Sequence, residues 1–127
     1  MKGAKIFSLS DDDEVFVSVL TFYELEYGFE NAPSTIQPLL RERIEKTKTD
    51  FSILALSLQS SHIFGMLKHL LKNHLGIQKK VMLKQHNIDI MLASTALHEE
   101  CIFVSNDSIF SEFAHVEPSF RFERWFL

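Results

Sequence analysis

Apolar positions along the chain alternate between two rhythms. Residues 15–20 (VFVSVL) form a β-branched and aromatic run behind an acidic turn, the pattern of a buried strand. Thr21-Phe22-Tyr23-Glu24 then fits a capping box, in which the first and fourth residues bond each other's backbone N–H groups, and it predicts a helix ending near Gly28. Pro33 and Ser34 open a second helix to about Lys46. It carries Ile36, Leu39, Leu40 and Ile44 on one side and Arg41, Arg43 and Lys46 on the other. Residues 51–56 (FSILAL) read as a second strand. An amphipathic helical segment over 60–75 follows, closed by Gly76, and then a connection over 79–85. Residues 89–100 give a helix with Ile90, Ala93 and Leu97 inward. Residues 101–105 give a third strand bounded by Asn106-Asp107, 108–113 a short helical turn, and 120–126 a final strand. Strands alternating with helices predict an α/β fold with a mostly parallel sheet covered by helices on both faces.

Composition narrows the function classes. The 127 residues allow one domain, residues 1–127, and 46% hydrophobic content with twelve Phe is enough for a globular core. No apolar run approaches the roughly 20 residues of a membrane span, and residues 1–10 do not read as a secretory signal. A cytoplasmic protein without membrane contact is expected. The single cysteine, Cys101, excludes an internal disulfide and reads as a small buried hydrophobe. Net charge is −4, against indiscriminate coating of nucleic acid. That average hides a segregation: residues 1–40 carry two bases and seven acids, 41–84 nine bases and three acids, and 85–127 two bases and seven acids. Two readings remain open, a carboxylate-lined site beside a phosphate-attracting surface and a solvated basic helix face.

In an open parallel sheet, reactive groups collect beyond the carboxyl ends of the strands. Glu24 follows the first strand, Asp107 follows the third, and Asp89 opens the helix leading into the third. Grouped carboxylates stay ionised together only when a cation joins them, and hard oxygen ligands suit Mg²⁺ or Mn²⁺. Each acid also has a structural explanation: Glu24 as a capping-box residue, Asp89 as complement to a helix dipole, Asp107 as an Asx turn or cap. The pattern alone does not separate Glu24 from Glu26. The six histidines contain no His-Glu-x-x-His pair, and the four glycines form no phosphate loop.

These residues also carry a resemblance. Val17-Ser-Val-Leu-Thr-Phe-Tyr-Glu24-Leu-Glu-Tyr-Gly28 resembles the second motif of PIN-domain ribonucleases of the VapC toxin type, a serine-bearing strand followed by Glu-Leu-x-x-Gly. Asn87-Ile-Asp89-Ile-Met-Leu-Ala-Ser-Thr-Ala-Leu97 is similar to the third motif, and Phe103-Val-Ser-Asn-Asp107-Ser-Ile-Phe110 to the fourth. Trp125 stands where such proteins often have a terminal strand and tryptophan.

The resemblance implies a PIN-like three-layer αβα fold. It further implies a metal-dependent endoribonuclease with four acids around one or two Mg²⁺ or Mn²⁺ ions, acting as the toxin of a toxin–antitoxin pair. It singles out Glu24, Asp89 and Asp107 as catalytic metal ligands, with Ser105 and Asn106 orienting them. The basic middle third, including Lys68, Lys72, Lys79, Lys80 and Lys84, would attract the RNA backbone. A small antitoxin protein and a second copy of the chain are the implied partners.

One part of the family pattern is missing. The family opens with a strand ending in Asp-Thr/Ser-Asn, and residues 1–10 do not supply it. A shrunken first strand over 6–10 followed by Asp11 would leave only four residues, 11–14, before a strand at Val15, whereas a parallel crossover needs a dozen. Residues 2–9 are therefore expected to be the tail of the preceding helix, and the domain to be an amino-terminally truncated one with a weakened metal cage. The competing expectation is a catalytically inactive PIN-like remnant acting as a protein-binding module. A phospho-accepting receiver domain fits less well, lacking an acid after residues 51–56 and a lysine after 101–105.

Overall fold

The structure, a computed structural model, describes residues 14–75 and 80–124. Two compact units divide the chain at residues 56 and 57. The expected features at residues 2–9, Asp11 to Asp13, Gly76, Lys79 and Trp125 lie outside the described residues.

The first unit contains β1 (Phe16–Ser18), α1 (Val19–Asn31), α2 (Gln37–Asp50) and β2 (Ser52–Leu54). β1 and β2 are parallel, with Phe16 opposite Ser52 and Ser18 opposite Leu54. The expected strand over 15–20 is cut short at Ser18, which is both its last residue and the cap of the helix that follows. The Ser18 hydroxyl accepts from the Leu20 N–H at 3.2 Å and caps α1, so Val19 is already helical. The cap is thus Ser18 and not Thr21. The helix also continues past Gly28, stopping at Ala32 just before Pro33, whose ring disfavours a helical residue ahead of it.

Among its described residues this unit buries only two large apolar side chains, Phe22 and Ile44. Polar contacts between α1 and α2 supplement them. Arg41 donates to both carboxylate oxygens of Glu26 at 2.8 and 2.6 Å and to Glu45 at 3.3 Å, and its guanidinium lies 4.3 Å from the centre of the Phe29 ring. Gln37 Nε2 donates to the Phe29 carbonyl at 2.9 Å, satisfying a carbonyl in the last turn of α1. The hydrogen bond from Arg41 holds the Glu26 carboxyl below its usual range against an opposing desolvation effect. Glu26 therefore binds a proton less readily folded than unfolded. Its contribution to stability is complete above the ordinary carboxylate range and disappears as pH falls through the lowered folded value. Arg41→Leu is expected to lower stability at neutral pH and to flatten its dependence on acidity below about pH 5, measurable by urea unfolding across a pH series.

The second unit contains α3 (Leu58–Leu75), α4 (Lys80–Gln85), α5 (Asn87–His98), β3 (Phe103–Val104), α6 (Ile109–Val116) and β4 (Phe122–Glu123). β3 and β4 are parallel, Phe103 facing Phe122. Its core joins Leu67 and Leu71 of α3, Leu83 of α4, Ile90, Ala93 and Ala96 of α5, Ile109, Phe110 and Phe113 of α6, and Phe120. Phe110 meets Phe113 edge-on at 5.2 Å and lies 4.3 Å from Phe103, centre to centre. α5 is buried around most of its circumference, and the two hydroxyls this encloses bond back within the helix: Ser94 to the Ile90 carbonyl at 2.6 Å and Thr95 to that of Met91 at 2.9 Å.

The α/β class with parallel strands is as expected. Among the described residues the strands form two separate pairs of two or three residues each, shorter than the sequence pattern suggests. Helix ends consume the difference. α5 closes in a Schellman turn, with Cys101 N–H bonded to the Ala96 carbonyl at 2.9 Å and Glu100 N–H to that of Leu97 at 3.2 Å. Cys101, expected in the third strand, belongs to this turn and is partly buried against the core. Glu100 holds the left-handed position at φ 57°, where glycine is the usual occupant. Its side chain is exposed; its N–H closes the turn and its carbonyl accepts from Arg121. Glu100→Gly is expected to stabilise the chain by about 1 kcal/mol, read from the denaturant midpoint. No helix among the described residues is long and apolar enough to cross a membrane.

Candidate active site

Asp89 sits where α5 starts. His86 N–H donates to the Leu83 carbonyl at 3.2 Å as α4 ends, and the His86 carbonyl accepts from Ile90 N–H at 2.9 Å. His86 is thus the N-cap residue and Asp89 the third helical residue. A carboxylate at that position often reaches back to the N-cap N–H, but here that N–H is already used. Instead Asp89 Oδ2 accepts from His86 Nδ1 at 2.7 Å, the two side chains being 24% and 23% exposed. Asp89 Oδ1 has no hydrogen-bond partner among the described residues. Lys68 of α3 donates to Asn87 Oδ1 at 2.7 Å, tying the first residue of α5 to its neighbour, and lies 5.7 Å from the Phe64 ring centre.

Asp107 occupies the turn that follows β3. Ser105 N–H still pairs with the Glu123 carbonyl at 3.1 Å, while the Ser105 hydroxyl accepts from Asp107 N–H at 3.1 Å. Asp107 Oδ1 accepts from Ile109 N–H at 3.1 Å and so helps to cap α6. Arg124 donates to the Asn106 carbonyl at 2.7 Å. The Asp107 side chain is exposed, and Oδ2 has no partner among the described residues. The Asx turn weighed against a functional role is present, yet it uses one oxygen of the two.

Glu24 belongs to the other unit. With Ser18 as the cap, Glu24 is the sixth residue of α1, so a capping box does not account for it. It is exposed and borders a groove of about 340 Å³ between α1 and α2, floored by Leu25, Phe29, Leu40 and Ile44. Of the other acid left open, Glu26, both oxygens accept from Arg41.

Within either unit, no three His, Cys, Asp or Glu side chains among the described residues gather closely enough to hold one metal ion. His74 bonds Glu112 at 2.8 Å and meets the tilted His115 ring at 4.7 Å, centre to centre, and His69 pairs with Asn73, so these histidines are used structurally. In donor chemistry Asp89 and Asp107 suit Mg²⁺, which takes one or two carboxylates and keeps several waters. Of the five lysines, Lys68 is engaged by Asn87, Lys72 and Lys84 are exposed, and the side chains of Lys79 and Lys80 lie outside the described residues. Two contributors escaped the sequence reading. For His86 the signal was its place three residues before Asp89; for Arg124 no local pattern exists, since its contact spans eighteen positions.

The sequence pattern of the PIN domain matches residues 4–116. The chain belongs to the PIN domain family. Among solved structures this PIN domain is similar to VapBC2 from Rickettsia felis, crystallised bound to a DNA fragment from their promoter. The TM-score is 0.74, with 20% identity over 95% of this chain and 82% of that one. No curated protein matches the chain. The PIN-like fold read from the three motifs is therefore the fold of the chain, and PIN domains are in general nucleases.

Proposed function

We propose that this PIN domain is a divalent-metal-dependent endoribonuclease acting in the cytoplasm as the toxin of a toxin–antitoxin pair. Asp89 and Asp107 are its central carboxylates, and Glu24 is assigned by its place in the Glu-Leu-x-x-Gly motif. The observation that carries the reading is the family match across residues 4–116, combined with two motif acids that each keep one carboxylate oxygen uncommitted.

A bound Mg²⁺ or Mn²⁺ supplies polarisation of the phosphate and a water of lowered pKa. The chain's own residues supply the rest. Ser105 and Arg124 fix the turn that carries Asp107, and Lys68 holds the start of the helix that carries Asp89. Exposed Lys72 and Lys84 attract the phosphate backbone without reading bases. A small antitoxin protein and a second copy of the chain complete the proposed assembly. The decisive experiment is cleavage of single-stranded RNA with Mn²⁺, with and without chelator, by the parent and by Asp89→Asn. Equal cleavage by the two discards the assignment of Asp89.

The second reading is a PIN-like remnant that binds a protein partner without catalysis. It is favoured by the lack, within either unit, of three grouped ligands among the described residues. Calorimetric titration with Mn²⁺ separates the two, since the remnant gives no heat.

A further inference from the structure

We infer that His86 is a positioning residue for Asp89, holding its carboxylate in the orientation in which the remaining oxygen meets a divalent cation; this rests on the nuclease reading above. A carboxylate oxygen only accepts, so the 2.7 Å contact makes His86 Nδ1 the donor to Asp89 Oδ2. That bond selects one rotamer of Asp89 and commits one oxygen, leaving Oδ1 for a ligand. The imidazole is itself fixed. Its residue is held through the backbone at both sides, by the Leu83 carbonyl and by Ile90 N–H, and the ring is about three-quarters covered.

The contact is not needed for capping. His86 makes no side-chain bond to a backbone N–H of α5, and its own N–H is satisfied by Leu83. Nor does it relieve an otherwise unpaired buried group, because Asp89 is exposed enough to be hydrated. What the pair accomplishes is orientation, the usual task of a hydrogen-bond partner one step removed from a metal.

The experiment is Mn²⁺ titration calorimetry on the full chain, the parent beside His86→Phe, His86→Asn and Asp89→Asn, with melting temperatures measured in parallel. Phe keeps the ring volume without the donor, whereas Asn places an amide N–H near the position of Nδ1. The expected result is Mn²⁺ binding weakened about 10- to 100-fold in His86→Phe and restored to within about threefold of the parent in His86→Asn. Parent-like affinity in His86→Phe overturns the proposal, as does loss of affinity in a folded His86→Asn. Should His86→Phe fail to fold, His86→Leu, which also lacks the donor, takes its place under the same criterion. Asp89→Asn distinguishes the two levels: if it binds Mn²⁺ like the parent, the nuclease reading falls and this inference with it. If it loses binding while His86→Phe does not, only the role of His86 is lost.

Discussion

Phe113→Ala is expected to destabilise the chain by about 3–5 kcal/mol, enough to leave much of a marginally stable protein unfolded near 37 °C. Phe113 is fully buried in α6 and forms part of an aromatic group with Phe110 and Phe120, the neighbours sitting edge-on at 5.2 Å and tilted at 6.3 Å. Truncation removes the burial of a whole ring and leaves a cavity that these rigid neighbours fill poorly. Both effects act in the same direction. Phe113→Leu should recover more than half of the loss by refilling most of the volume. Urea unfolding followed by tryptophan fluorescence and by circular dichroism measures both variants. A loss below about 1 kcal/mol for the alanine variant would mean that the second unit is not held by this cluster.

Asp89→Asn should reduce RNA cleavage by more than about 100-fold, beyond the range seen when only a ligand's hydrogen-bond partner is removed. The exchange is nearly isosteric. The amide oxygen still accepts from His86 Nδ1, so α5 should start at the same place and the melting temperature should stay close to that of the parent. What changes is the charge offered to a divalent cation, since a neutral amide replaces an anionic ligand. Initial cleavage rates on single-stranded RNA with Mn²⁺ measure the loss, and raising Mn²⁺ should recover part of it if the defect lies in ion binding. Unchanged rates would remove Asp89 from the reaction.

The elements that were legible in the sequence are those whose apolar period runs long enough to dominate local alternatives. The expected segments over 60–75 and 89–100 correspond to α3 and α5 within two residues at each end, because each sustains an amphipathic or enclosed pattern over three turns or more. The strands were less legible, and the reason is competition for residues at their ends. Ser18 ends β1 because its hydroxyl caps α1, which gives Val19 and Leu20 to the helix, and Cys101 completes the turn after α5. Of the candidate site, Asp89 and Asp107 are proposed from motif position, whereas the contact with His86 depends on where α5 begins. The expected start at Asp89 would have left His86 outside the helix, and the observed start at Asn87 makes it the cap residue.

The helix that carries Asp89 is enclosed by small side chains, Ala93, Ser94, Thr95 and Ala96, with neighbours packed directly against them. Enlarging any of these would push on a close-packed interior before it altered any reacting group. Evolutionary drift in this segment is therefore policed by volume, independently of chemistry. Exposed positions such as Lys72 and Lys84 lie outside that constraint and can be exchanged without disturbing the packing.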